Sequence, residues 1–165
     1  MPDLAFRAMQ FAIEKHKDQK HKYTHHPYTE HLAEVAGVVA SVADNLSWRV
    51  VIATAWLHGC IEDQGVTQNE LAKEFGWTIA SGVKALSDFE KENCAERKIE
   101  RLAKQPAWIQ NIKVADIISN TSNITQNDPV FAVTFLREKS LLLDALTQAD
   151  PRLLTIARNQ IGKWL

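Results

Sequence analysis

From Arg49 to Asp63 the sequence reads RVVIATAWLHGCIED. Before its closing Glu-Asp pair, the only polar side chains after Arg49 are those of Thr54 and His58. A helix over 47–61 would therefore be apolar on nearly every side, and such a helix belongs in the centre of a domain. The remaining polar groups collect at its C-terminal end, which predicts a functional site there.

Helical spacing recurs on both sides of this segment, for example where apolar residues from Leu32 to Ala43 follow an i, i+3, i+4, i+7 pattern. Thr67 and Glu70 form a capping-box pattern, and Asp128 and Asp150 each precede a proline that can open a helix. Strand-like alternation is absent from the sequence. We therefore predict an all-α bundle with helices at 3–17, 29–44, 47–61, 67–75, 77–88, 94–104, 107–125, 129–148 and 151–163.

The composition limits the classes of function. With 165 residues, 45% hydrophobic and 24% charged, the chain suits one globular domain over 1–165. A formal net charge of −1 gives no basic field for DNA, RNA or an anionic membrane. No apolar run approaches the ~20 residues of a membrane helix, and the N-terminus lacks a signal-peptide pattern. Two cysteines favour reduced thiols and a cytoplasmic protein.

Three polar residues lie in apolar surroundings. Asp116 sits in the run IKVADII, while His31 opens one predicted helix and His58 ends the central one. A buried carboxylate needs a metal, a cation or several hydrogen-bond donors. Imidazole nitrogen with carboxylate oxygen suits Mn²⁺, Fe or Zn²⁺. The alternatives are structural histidines, and an Asp116 that caps a helix or meets Lys113 at the surface.

Two acids follow the central helix. Glu62 is four residues after His58 and shares its face if the helix continues, and Asp63 comes next. A water attacking phosphorus needs an orienting carboxylate, and these residues are placed to supply one. The alternative is that both acids end the helix in solvent. Acids at a helix C-terminus oppose the macrodipole, which favours the functional interpretation.

A basic and aromatic tract runs from Lys15 to Tyr28 and contains Lys20 and Lys22. Cations could hold phosphates there, and aromatic rings could stack on a base. The alternative is a solvated basic loop.

The order of these motifs resembles the hydrolase domain of bifunctional alarmone synthetase/hydrolases and the small alarmone hydrolases, a branch of the HD superfamily. The matching pieces extend over about residues 10–125. They are PYTEH at 27–31, LHGCIED at 57–63, and KVADIISN at 113–120. The helices predicted over 129–165 would complete the bundle.

The resemblance implies an all-α fold, a Mn²⁺ ion and removal of the 3′-pyrophosphate from ppGpp, a small-molecule nucleotide. It implies metal ligation by His31, His58 and Asp116. The acids of 62–63 match a pair that positions the attacking water. The nucleotide contacts implied by the resemblance and by the basic tract are those of Lys20, Lys22, Tyr28 and Asn120.

Three positions depart from the family pattern. Gly59 replaces the Asp of the His-Asp doublet, so one metal ligand is absent. The Arg that the family usually has shortly after the Asn is not seen in Asn120-Thr121-Ser122, and His25 and His26 stand where a Gly usually precedes the PY pair. Glu62, one turn after His58, could move in as a compensating ligand.

Two functions follow from these observations. The first is a metal-dependent phosphohydrolase, impaired through Gly59, in which lysines neutralise the phosphates. The second is a catalytically inactive nucleotide-binding or interaction protein that retains the HD fold. Gly59 favours the second, whereas the retained acids at 62, 63 and 116 favour the first. A homo-oligomer is compatible with either.

Overall fold

The computed structural model describes residues 3–44, 47–88 and 95–165. These residues form ten helices and no strand, which confirms the all-α prediction. Residue 94, the first of one predicted helix and the second cysteine, lies outside the described residues. The helices are α1 (Leu4–Lys15), α2 (Thr29–Ala40), α3 (Trp48–Leu57), α4 (Cys60–Gln64), α5 (Gln68–Phe75), α6 (Trp77–Leu86), α7 (Ala95–Ala103), α8 (Ala107–Asn127), α9 (Pro129–Ala145) and α10 (Pro151–Gly162).

Helix α3 lies at the centre of the N-terminal helices, as its composition predicts. It packs against α1, α2, α6 and α8, and Val51, Ala53, Ala55 and Leu57 are all buried. The hydroxyl of Thr54 donates to the Val50 carbonyl at 2.8 Å, so this buried polar group is satisfied within its own helix.

The predicted helix over 47–61 is wrong in one respect, because the chain turns at His58 and Gly59 between α3 and α4. The carbonyl of Ala55 accepts from the backbone N–H of His58 and also from the Nδ1 atom of its ring. Both bonds span three residues rather than four, which tightens the turn and ends α3. The acids at 62 and 63 consequently lie on a separate short helix.

Helix α8 joins the two ends of the bundle. Ile109, Ile112 and Ala115 pack with the buried faces of α2 and α3. Val114 and Ile117 pack in another apolar cluster, formed with α9 and α10. Residues in the middle of α8 therefore lie between α2 and α3 on one side and α9 and α10 on the other.

The predicted caps are confirmed. The side chains of Thr67 and Glu70 form a reciprocal capping box on α5. The carboxylates of Asp128 and Asp150 accept backbone N–H groups at the starts of α9 and α10, each followed by proline. Helix α2 ends at residue 40 rather than 44, where the Ser41 hydroxyl donates to the Val38 carbonyl. Among the described helices, none combines the length and the apolar character needed to cross a membrane.

Gly82 lies where α6 crosses α3 and α8. A Cβ atom at this position would lie 2.8 Å from Ile109 Cδ1 and 2.9 Å from Trp108 Cη2. At Gly37, in the middle of α2, an added Cβ atom would lie in open space. Of these two positions, 82 requires glycine for close packing and 37 does not.

This contrast gives a matched pair of substitutions. Gly37→Ala should raise the free energy of unfolding by about 0.5–1 kcal/mol through helix propensity. Gly82→Ala gains the same propensity but overpacks the crossing at a cost of about 1–3 kcal/mol, so it should destabilise. Urea denaturation measures both, and equal stabilisation by the two variants would contradict the close packing described here.

Candidate functional site

Three side chains meet where α2, α3 and α8 pack together. His31 comes from the first turn of α2, His58 from the end of α3, and Asp116 from the middle of α8. The Oδ1 atom of Asp116 lies 3.1 Å from His31 Nε2 and 3.5 Å from His58 Nε2. One ligand atom from each residue lies within 4.8 Å of the other two. The structure therefore brings the three predicted ligands together, and their role as ligands stays a prediction.

A hydrogen bond at the Nδ1 atom determines the orientation of the His58 ring. Its Nδ1 atom lies 2.6 Å from the Ala55 carbonyl, which can only accept a hydrogen bond. Nδ1 must therefore carry a hydrogen, and in the neutral ring Nε2 carries a lone pair directed at Asp116.

A longer chain of hydrogen bonds orients His31. The Ser119 hydroxyl lies 2.5 Å from Glu34 Oε2 and donates its hydrogen to that carboxylate. The Ser119 oxygen therefore accepts from His31 Nδ1, 2.8 Å away. In the neutral ring, His31 Nε2 is thus also left with a lone pair that faces Asp116 Oδ1. The sequence analysis missed both Glu34 and Ser119, although Glu34 lies one turn after His31 on α2.

Asp116 is held as a carboxylate by its neighbours. Lys113 Nζ lies 3.0 Å from Oδ2, and Asn120 Nδ2 donates to Oδ1 at 3.0 Å. Burial would raise the pKa of Asp116, but Lys113 and the two histidines hold it well below its usual value. Burial lowers the pKa of His58, and the Asp116 carboxylate outweighs burial and raises it. Asp116 does pair with Lys113, as one alternative expected. The pair is not at the surface, because the side chains of Lys113 and Asp116 are only 9% and 13% exposed.

These atoms fit a divalent cation. Two imidazole lone pairs and a carboxylate oxygen, all acceptors, face one point in a buried site. Acceptors that converge repel each other unless a proton or a cation lies among them. Each ring also makes the outward hydrogen bond that metal-bound histidines almost always make.

The two acids of α4 line the same cavity as the cluster, and they have different neighbours. Glu62 Oε2 accepts the backbone N–H of Asp88 at 3.2 Å, and burial raises the pKa of Glu62. Asp63 instead lies near Tyr28, on the same cavity wall. Burial and the negative charge of Asp63 raise the pKa of the Tyr28 hydroxyl.

The cavity, about 220 Å³ in volume, also contains cations that the sequence analysis did not assign to it. Its wall includes Lys113 and Lys139 together with Asp88 and Phe135. Burial and the nearby charge of Lys113 lower the pKa of Lys139. The position of Lys139 could not be inferred because it lies in a short charged run, Arg137-Glu138-Lys139, that matches no motif.

A second cavity of about 300 Å³ adjoins the first. Its wall contains the four predicted nucleotide contacts, Lys20, Lys22, Tyr28 and Asn120. The last two also line the first cavity, so the two cavities share a wall. The structure groups these four residues as expected, and their contact with a nucleotide stays a prediction.

The loop before Tyr28 bends sharply at His25. This residue has φ 58°, the left-handed region in which a non-glycine residue costs about 1–2 kcal/mol. The backbone bonds between His21 and residues 25 and 26 close the turn. A glycine would adopt this conformation without strain, which accounts physically for the glycine that the family pattern has here.

The stretch of sequence that forms this cluster matches a family of known proteins. The HD domain model matches residues 8–126, which include all three residues of the cluster. The chain belongs to the HD domain family. The resemblance drawn from the motifs is thereby confirmed at the level of the HD superfamily, whose hydrolases depend on divalent metals.

Two proteins illustrate the likeness of this HD domain. It is 29% identical over 124 residues to the guanosine-3′,5′-bis(diphosphate) 3′-pyrophosphohydrolase MESH1 of Drosophila melanogaster, covering 73% of this chain and 69% of that protein. It also superposes on a solved structure of a metazoan ortholog of SpoT that hydrolyses ppGpp and plays a role in starvation responses. That match has a TM-score of 0.88 at 21% identity, with 100% of this chain and 98% of the other covered, and it shows the shared fold.

The role of Ser119 in orienting His31 can be tested through metal affinity. Ser119→Ala removes the acceptor of His31 Nδ1, so the ring loses its orientation and Mn²⁺ affinity should fall about 10–100-fold. Ser122→Ala, an exposed neighbour on the same helix, is the control and should bind as the wild type does. Isothermal titration with Mn²⁺ measures the two dissociation constants, and the absence of any difference would show that Ser119 does not orient His31.

Proposed function

We propose that this protein is a metal-dependent pyrophosphohydrolase that removes the 3′-pyrophosphate of ppGpp or a closely related nucleotide. The observation that carries the proposal is the convergence of two histidine lone pairs and Asp116 at the end of a cavity lined by acids and lysines. The similarity to MESH1, itself such an enzyme by name, supports the choice of substrate.

His31, His58 and Asp116 would hold the metal through Nε2, Nε2 and Oδ1. We propose Mn²⁺, because mixed imidazole and carboxylate ligands suit this ion. When bound, such an ion supplies positive charge for a phosphate oxygen and acidity for a water molecule. Lys113, paired to the other oxygen of Asp116, keeps this carboxylate ionised and facing the two rings.

Glu62 is the proposed proton acceptor. Its Oε2 atom is held by the Asp88 N–H, which leaves Oε1 to orient a water and take its proton. A pKa raised by burial makes Glu62 a stronger base than an ordinary surface carboxylate. Asp63, on the same wall, contributes the second acid of the pair.

The lysines and the adjoining cavity would bind the rest of the nucleotide. Lys113 and Lys139 line the cavity of the metal centre and can neutralise the pyrophosphate. Lys20, Lys22, Tyr28 and Asn120 surround the adjoining space, where a nucleoside can stack and form hydrogen bonds. A small-molecule nucleotide in the cytoplasm accords with these two neighbouring cavities and with a buried free thiol at Cys60.

A second function is favoured by Gly59. A chain that lacks the carboxylate of the His-Asp doublet could bind the nucleotide without hydrolysing it. The two functions differ in one result, since both predict nucleotide binding but only the first predicts release of pyrophosphate.

The activity test uses the purified chain with ppGpp and Mn²⁺. We expect pyrophosphate release that depends on added Mn²⁺, because the proposed step is metal-assisted. His58→Ala and Asp116→Asn should lower kcat/KM at least about 10³-fold, as expected for loss of a metal-assisted step. Excess EDTA should abolish turnover, and His26→Ala, an exposed histidine outside the cavities, is the control. Binding of ppGpp without release of pyrophosphate at any Mn²⁺ concentration would favour the second function.

Lys22 separates nucleotide binding from metal binding. Lys22→Ala should weaken nucleotide affinity about tenfold, the effect of losing one charge-assisted contact, and leave Mn²⁺ affinity unchanged. Lys17→Ala removes an exposed lysine paired with Glu14 and serves as the control for charge. Fluorescence titration with a labelled guanine nucleotide measures this, and equal affinities for the wild type and Lys22→Ala would remove Lys22 from the site.

A further inference from the structure

Gly59 lies at the corner between α3 and α4, in the wall of the cavity that holds the cluster. The same wall contains His58, Asp63 and Asp116. Gly59 has φ −91°, which any residue can adopt, so the backbone does not require glycine here. The reason for glycine must therefore lie in the space around its Cα atom.

Other side chains border that space, and one of them approaches it closely. A Cβ atom on residue 59 would lie 3.1 Å from Asp63 Oδ2, 3.4 Å from His16 Cε1 and 3.5 Å from Tyr28 Cε1. The shortest of these distances is to a carboxylate oxygen. The carboxylate of Asp63 thus lies against the backbone at the position where a side chain of residue 59 would begin.

The backbone keeps Asp63 beside this position. Its N–H donates to the Gly59 carbonyl at 2.9 Å, which sets the turn of α4. Glu62, the first compensating ligand expected from the sequence, instead accepts the Asp88 N–H at 3.2 Å.

We propose that Asp63 is a metal ligand that replaces the missing carboxylate at residue 59, and that Gly59 makes room for it. This inference rests on the proposed metal centre and deepens it. With Asp63 and Asp116, two carboxylates balance the charge of a divalent ion, as two would if residue 59 were acidic. The assignment leaves Glu62 alone as the proton acceptor of the proposed reaction.

The test is a Mn²⁺ titration of variants without nucleotide, followed by calorimetry or by the electron paramagnetic resonance signal of free Mn²⁺. Asp63→Asn should raise the dissociation constant at least about tenfold, by analogy with loss of other ligand-shell groups. Glu62→Gln is the matched control, because it removes one negative charge from the same wall and should change the constant less than about threefold.

The double variant tests replacement directly. Gly59→Asp/Asp63→Asn should bind Mn²⁺ at least as tightly as the wild type, because the new carboxylate serves in place of the old one. The cost of Asp63→Asn should therefore be large with glycine at residue 59 and small with aspartate there. Such non-additivity is expected of two groups that serve one function.

Gly59→Ala tests the steric half of the inference. Alanine favours the helix, so the metal-free variant should unfold at the same or a higher temperature than the wild type. Its Cβ should nevertheless displace Asp63 and weaken Mn²⁺ binding.

Equal Mn²⁺ affinity in the wild type and Asp63→Asn would overturn the inference and leave the proposed metal centre of His31, His58 and Asp116 standing. The absence of Mn²⁺ binding in every variant would overturn both the inference and the proposed function. A wild type that binds Mn²⁺ through Asp63 and hydrolyses no ppGpp would support the inference and remove the proposed activity.

Discussion

Two imidazole rings give their Nδ1 hydrogens to acceptors behind them, and this determines what they present to Asp116. The Ala55 carbonyl takes the hydrogen of His58, and the Ser119 hydroxyl takes that of His31. Both Nε2 lone pairs then face a carboxylate oxygen, an arrangement that a cation stabilises. The end of α3, the first turn of α2 and the middle of α8 must all be in register for this to occur, so the central packing of the bundle positions the cluster.

Much of the fold could be predicted because it depends on local patterns. The apolar surface of α3, the capping box at Thr67 and the Asp-Pro starts of α9 and α10 are properties of short stretches of sequence. The turn at His58 could not be predicted, because it depends on a side-chain bond to the Ala55 carbonyl. The expectation that Glu62 continues the face of His58 assumed an unbroken helix, and the structure removes that assumption.

Local sequence patterns also predicted part of the site. His31, His58 and Asp116 were found as polar residues in apolar helices, whereas Glu34 and Lys139 lie on polar helix faces where such residues are ordinary. Only the packing of α2 and α9 against α8 brings them to the cluster. The sequence shows Gly59 as the loss of a carboxylate, whereas the structure shows the Asp63 carboxylate 3.1 Å from where a Cβ atom of residue 59 would lie.

The central claim is that the three converging acceptor atoms hold one divalent ion. Anomalous diffraction at the manganese absorption edge, from crystals grown with Mn²⁺, tests it most directly. The account predicts one anomalous peak within about 2.0–2.3 Å of His31 Nε2, His58 Nε2 and Asp116 Oδ1, the range of transition-metal bonds to these ligands. A manganese peak elsewhere, or a difference map in which Lys113 and the two histidines fill the cluster without any ion, would contradict it.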